Sequence, residues 1–314
     1  MPNELPLSLP PAASSSTPRT AAAASPVSKS GALRATNAPT AAAAGTGLYV
    51  GTSGYSYPEW VDAGFYPPST KQPQMLGLYL ARFPAVELNY TWYQLPKADG
   101  IERQRRMTPP AFRFAAKLTR TLTHEIDAAW MKQADAYRDG IAPLIEARQL
   151  AAVLVQLAPD FTYTVASRRY LGALIEHLEG LPLAVEFRHA SWAKPRVYAE
   201  LARRQVALVA VDAPALPQLF PPVAEATRSD WFYVRFHGRN LKGWQSGQAE
   251  QKFHYDYTDK ELAPWLETRI AHLSERAPSG YVFFNNHYGG LAPKNALAFQ
   301  RLAAKKGLKV LSPS

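Results

Sequence analysis

The sequence predicts an α/β chain folded as a single eight-stranded parallel β/α (TIM-type) barrel, and three observations carry that reading. Eight short apolar runs recur from Leu48 onward. Most intervals between them place apolar residues at helical spacing. The span 48–314 matches the roughly 250 residues that one such barrel occupies. Strands that alternate with helices pair in parallel through right-handed crossovers. The rival is an open doubly wound sheet, whose G-x-G-x-x-G fingerprint after the first strand is missing; "GTSG" at 51–54 does not match it.

In chain order the first four strand-like runs are "LYVGTS" (48–53), "AVELN" (85–89), "FRFAAK" (112–117) and "AAVLVQL" (151–157). The last four are "PLAVEF" (182–187), "VALVAVD" (206–212), "WFYVRFHG" (231–238) and "GYVFFNN" (280–286). Each is a short run bounded by turn-forming or helix-like sequence, the length and setting of a buried parallel strand. Between them, 126–149 and 193–205 carry the clearest helical periodicity. The sixth crossover departs from the pattern. After Asp212 comes "APALPQLFPPVAEATRSD", whose prolines leave little room for a regular helix, so a short or irregular connection and a local distortion of the barrel are expected.

Residues 1–47 are a different material, dominated by Ala, Ser, Thr and Pro with almost no large apolar side chain. Such a segment buries too little surface to offset the entropy of ordering, so a disordered arm is expected over 1–47 and the barrel domain over 48–314. No basic start leads into an apolar stretch there, so a secretory signal is not expected. The whole chain lacks an apolar run long enough for a membrane helix, and no membrane association is expected. Cysteine is absent, which excludes disulfides, thiolate nucleophiles and Cys-ligated metal centres and agrees with a cytoplasmic location. The formal charge of +10 would suit an anionic small molecule or nucleic acid. Its short clusters, such as Arg103, Arg105 and Arg106, read first as solvated helix faces.

Strand parity predicts where chemistry gathers. Side chains alternate faces along a strand, so Glu186 and Arg188 share one face while Val185 and Phe187 take the other. Bulky apolar residues pack on the helices, which turns the acid and the base inward. The same phase assigns Ser53 to the first strand, Glu87 and Asn89 to the second, Lys117 to the third and Gln156 to the fourth. Asp212 follows on the sixth, Arg235 and His237 on the seventh, and Asn286 on the eighth. All lie at carboxyl ends of strands, where barrel enzymes build their sites. Desolvating so many ionisable groups costs stability unless they are paired, so a shared function is the preferred explanation.

The segments "YVGTSGYSYPEW", "VELNYTWYQLP", "FRFAAKLTRTLTH", "VLVQLAP", "AVEFRHASW", "VRFHGR" and "FFNNHYGGLAPKNA" together resemble the YecE-like family, catalogued as domain of unknown function 72. The likeness runs from about residue 49 to 300. It implies a TIM-type barrel and supplies no reaction.

Chemistry is therefore read from residue types. Glu186, Glu87, Asp212, His237 and Lys117 are the catalytic candidates, with Glu186 beside Arg188 as acid or base and His237 as a proton shuttle. Two of the carboxylates facing each other would support a paired-carboxylate mechanism. Arg188, Arg235, Asn89, Asn286, Gln156, Ser53, Tyr55, Tyr93 and His189 are the ligand-binding candidates, suited to an anionic or hydroxylated molecule. Tyr57, Trp60 and Trp92 join Tyr55 and Tyr93 as aromatics that either wall the pocket or pack the loops, and "GTSG" reads either as backbone N–H groups offered to an anion or as a tight strand-to-loop turn. No cofactor is predicted. A divalent metal on Glu87, Glu186, His189, Asp212 and His237 is the alternative, opposed by the nearby positive charges and by the lack of a tight ligand motif. "GRNLKGWQSGQ" (238–248) reads either as a basic lid bearing Arg239 and Lys242 or as a surface loop. An enzyme acting on a small anionic or polyhydroxylated substrate (a hydrolase, lyase or isomerase) is the leading expectation. A nucleic-acid-binding or processing protein and a non-catalytic ligand sensor are the alternatives, and oligomeric state is left open.

Overall fold

Every strand pairs in parallel with its sequence neighbours, and the last closes on the first. The structure, a computed structural model, describes residues 45–313. Its strands are β1 (Gly47–Ser53), β2 (Ala85–Leu88), β3 (Arg113–Lys117), β4 (Leu150–Gln156), β5 (Leu183–Glu186), β6 (Ala207–Asp212), β7 (Trp231–Phe236) and β8 (Ser279–Phe284). The predicted barrel is the observed fold. The arm expected over 1–47 lies outside the described residues except for its last three, of which Gly47 already pairs with Ser279 in β1.

The two faces of the wall have different chemistry because the strand period is two. Outward-facing Val50, Val86, Phe114, Val153, Val185, Leu208, Val234 and Val282 join the helices in one continuous apolar layer. Inward-facing residues fill the bore. Near the amino ends Tyr49 stacks on Tyr281 with ring centroids 5.1 Å apart, and Trp231 meets Tyr281 edge-on. Ala85, Ala115, Ala152, Ala184, Val209 and Phe283 occupy the middle. Small alanines opposite Tyr233 and Phe283 let large side chains from one wall cross toward the other. Above them the bore turns polar.

The helices predicted over 126–149 and 193–205 are present as Trp130–Glu146 and Pro195–Arg203, the latter with proline in its first turn. The sixth crossover, 213–230, contains no helix, as its prolines predict. It forms a strap against the exit of β5 instead. Ala190 N–H donates to the Gln218 carbonyl at 3.0 Å, Phe220 N–H donates to the Arg188 carbonyl at 3.1 Å, and His189 bridges Leu219. After β7 the chain turns at Gly238, whose φ of +90° favours glycine, and a Cβ there would approach Tyr255 Cβ to 2.7 Å. Two short helices, Leu241–Ser246 and Ala249–Lys252, then lead back to the mouth. Among the described residues, no helix is long and apolar enough to cross a membrane.

Candidate functional site

Arg235 is the centre of the polar ring. Its side chain, on the inner face of β7, is buried between two carboxylates from different strands. Nε and Nη2 donate to Glu87 Oε2 and Oε1 at 2.9 and 2.6 Å, and Nη1 donates to Glu186 Oε2 at 2.7 Å. Tyr233, one turn of the pleat below, donates its hydroxyl to Glu87 Oε2 at 2.7 Å. Nη2 also reaches Ser53 Oγ at 3.3 Å, and Nη1 reaches Gln156 Oε1 at the same distance. A planar guanidinium with five donors is the side chain that can serve two carboxylates at once.

Glu186 collects a second layer of partners. Arg188 Nε lies 2.6 Å from Glu186 Oε1, an ion pair whose N–H is not directed at the oxygen. Arg188 Nη2 donates to Gln156 Oε1 at 3.0 Å. Burial would raise the Glu186 pKa, but Arg188 and Arg235 override it and hold this carboxyl well below the usual range. His237 Nε2 stands 3.1 Å from Glu186 Oε1, and its Nδ1 stands 3.0 Å from the Asn285 amide nitrogen. With the amide donating to Nδ1, the ring proton belongs on Nε2 and is donated to Glu186. Burial, then Arg188, keeps the imidazole pKa well below its usual value, so His237 is neutral at neutral pH.

Lys117, at the end of β3, differs from every other charge in the ring. Glu87 and Glu186 are engaged by the arginines, and the Lys117 amine makes no ion pair among the described residues. Its Nζ sits 4.7 Å from the centroid of the Trp92 ring. Burial, reinforced by the charges of Arg235 and Arg188, lowers its pKa to about 7. Lys252 approaches from the short helix after β7, 4.0 Å from the Trp244 centroid, and burial followed by Arg188 brings it to about 8.

A cavity of about 810 Å³ opens above these groups, within the range of small-molecule sites. Lys117, Gln156, Arg188 and Asn285 line its floor, with Lys252 and Phe253 on one side. Tyr55, Tyr57, Asn89, Trp92, Tyr93, His124 and His287 form the remaining wall. Tyr55 is fixed by a hydrogen bond from Gln104 Nε2 at 2.8 Å, whereas Tyr93 is exposed. Tyr57 stacks on His287 at 4.7 Å and donates to the Ser53 carbonyl at 2.9 Å. Burial lowers both His124 and His287 to about 4, so the wall imidazoles are neutral. Asn89 Oδ1, Trp92 Nε1 and His287 Nδ1 are buried without a hydrogen-bond partner among the described residues. Buried polar atoms ordinarily have partners, so these three are exceptions within the side chains of the wall.

The predicted residues divide accordingly. Ser53, Glu87, Lys117, Gln156, Glu186, Arg188, Arg235 and His237 converge, with Asn89, Tyr55 and Tyr93 above them. Asp212 does not. Val209 and Val211 hold the inner face of β6, so Asp212 points outward and accepts from Arg239, from Tyr257 Oη at 2.6 Å and from Trp265 Nε1 at 2.5 Å. Asn286 also faces out and donates to Asn295 Oδ1 at 2.7 Å; Asn285 takes the inner position in its place. His189 caps the turn Ala190–Trp192, its Nδ1 accepting from Ser191 N–H at 3.1 Å. The five alternative metal ligands therefore do not converge, and no group of three or more His, Asp or Glu suited to a metal occurs among the described residues.

Three further expectations change. Trp60 is core, its Nε1 donating to the His287 carbonyl at 2.8 Å. Gly54 N–H is taken by the Glu87 carbonyl at 2.8 Å, so "GTSG" is a tight turn rather than an anion cradle. Arg239 is clamped to Asp212 and Lys242 is exposed, so the segment after β7 reaches the mouth through Trp244, Lys252 and Phe253. His124, Lys252, Phe253, Asn285 and His287 were not expected in the site. Asn285 and His287 lie in the recognised "FFNNHYGG" stretch and His124 ends the recognised "FRFAAKLTRTLTH" stretch, and these were the available signals.

Comparison with known proteins gives the same grouping. The chain is 30% identical over 264 residues to the UPF0759 protein YunF of Bacillus subtilis, covering 79% of this chain and 92% of that protein. It is 31% identical over 150 residues to the UPF0759 protein YecE of Escherichia coli, covering 45% of this chain and 48% of that protein. Among solved structures, a DUF72 family protein from Thermotoga maritima superposes with a TM-score of 0.75 at 37% identity, over 82% of this chain and 99% of that one. A DUF72 family protein from Enterococcus faecalis gives 0.74 at 28% identity, over 85% and 98%. The model of the family described as "Protein of unknown function DUF72" matches residues 49–314, and the chain belongs to that family.

Proposed function

We propose that the barrel mouth is the active site of an enzyme acting on a small anionic or polyhydroxylated compound, with Lys117 as the group that transfers protons. One observation carries this reading: a cavity-lining amine that makes no ion pair stands beside a carboxylate–guanidinium cluster whose own groups are all engaged. Acid–base catalysis works best with a pKa near the working pH. Glu186 lies well below that range and its oxygens are occupied, so it serves as the counter-ion that fixes Arg188, Arg235 and His237. Lys117 lies within the range, at about 7. Arg188 and Lys252 give the cavity its positive character and its preference for an anion. The wall tyrosines and Trp92 suit the apolar faces of a sugar-like or short carbon skeleton.

A thermal-shift panel of carboxylates, sugar acids and phosphate esters tests the reading. A genuine ligand raises Tm in the wild type by mass action and does so less in Arg188→Met. Turnover of that ligand is lost in Lys117→Met. A panel without any stabilising anion, or tight binding of nucleic acid that collapses with added salt, would remove the proposal.

A further inference from the structure

We propose that Lys117 is a nucleophile that condenses with the carbonyl carbon of a small aldehyde or ketone bearing a carboxylate, forming an imine in the barrel mouth. The inference rests on the reading of the mouth as an anion-binding active site with Lys117 as its reactive amine; it assigns that amine covalent attack in place of proton transfer and names the substrate class. An amine becomes a nucleophile when it is desolvated or placed near other cations, because both favour its neutral form. Lys117 meets both conditions: it stands against the face of Trp92, in the field of Arg235 and Arg188. Glu87 and Glu186, whose charges favour the ammonium, are each bound to Arg235, and neither pairs with Lys117 among the described residues.

The surroundings also fit the other half of such a substrate. Arg188 lines the cavity, and a planar guanidinium matches a carboxylate. The step balances without any redox partner. The amine adds to the carbonyl carbon, its proton passes to the oxygen, and the hydroxyl leaves as water when the C=N bond forms. Hydrolysis reverses each event.

The test uses the full-length protein, glyoxylate as the anionic aldehyde, and cyanoborohydride to reduce any imine to a stable carboxymethyl-lysine that peptide mass mapping locates. Near pH 7, Lys117 should be labelled on the order of a hundred-fold faster than the exposed Lys242, because burial and the neighbouring guanidinium charges hold a large share of its amine neutral. Oxalate, a dicarboxylate with no electrophilic carbonyl, should slow that labelling, and Lys117→Arg should abolish it. Labelling of Lys117 at or below the rate of Lys242 overturns the inference. A parallel melting curve with oxalate separates the two levels. Stabilisation by oxalate without Lys117 labelling discards the imine and keeps the anion site, whereas absence of both discards the anion site for such ligands as well.

Discussion

The wall of this barrel carries a buried carboxylate–arginine cluster on each of its faces, and the two differ in what they leave over. On the outer face Asp212 accepts from Arg239, Tyr257 and Trp265, and its oxygens have the partners they require. On the inner face Glu87, Glu186 and Arg235 satisfy one another but leave the amine of Lys117, which lines the cavity, without an ion pair among the described residues. A buried ion cluster is by itself weak evidence of function, since well-packed apolar groups would often serve stability as well. A surplus amine lining a cavity is the better sign. The outer cluster fastens the fold and the inner one prepares a surface for something else.

The largest effect should come from breaking the inner cluster. Arg235→Met strands two buried carboxylates and should cost about 3–5 kcal/mol in urea unfolding. Asp212→Asn should cost less, about 1–3 kcal/mol, and should leave anion binding in the mouth unchanged. Loss of binding in Asp212→Asn would erase the distinction between the faces. Lys117→Met should move in the opposite direction. Removing an amine whose charge is disfavoured by burial should stabilise the protein by about 1–2 kcal/mol at pH 7 while eliminating activity.

Acid titration sharpens the same comparison. The folded-state pKa values of Glu186 and His237 both lie below their usual values, so the unfolded chain binds more protons and stability must fall as pH falls. Lys117 and Lys252, also lowered, make the loss begin below about pH 10.4; the histidines add to it below about pH 6.5 and Glu186 below about pH 4.3. His237→Asn should reduce the part of the slope below about pH 6.5 without abolishing it, because His124 and His287 contribute to the same part; unfolding free energy against pH measures the difference. The smallest effect belongs to Lys242→Ala. An exposed lysine outside the cavity should change both stability and ligand affinity by less than about 0.5 kcal/mol.

Strand number and closure were legible in the sequence because parallel strands buried on both faces leave continuous apolar runs. Parity located the inward residues wherever a polar side chain alternated with an apolar one, as in "VEF" around Glu186 or "VRFH" around Arg235 and His237. It failed where that contrast was missing. In "VALVAVD" both faces are apolar, and the phase that puts Val209 and Val211 inside is set by pairing with β7. In "FFNN" two identical asparagines compete, and only the register of β8 gives the inner place to Asn285. Lys252 reaches the mouth from a short helix after β7, and His124 from the segment after β3, where strand parity does not apply.

The strap that replaces the sixth helix has a consequence for Arg188. Main-chain bonds from Phe220 and Gln218 bracket the exit of β5, so the backbone that aims this guanidinium is stapled by a length of chain from the next crossover. Pro214, Pro217, Pro221 and Pro222 stiffen that staple before folding begins, since each narrows the conformations the unfolded chain can visit. What looks from outside like a defect in the helical ring is a rigid mount for one of the cations in the bowl.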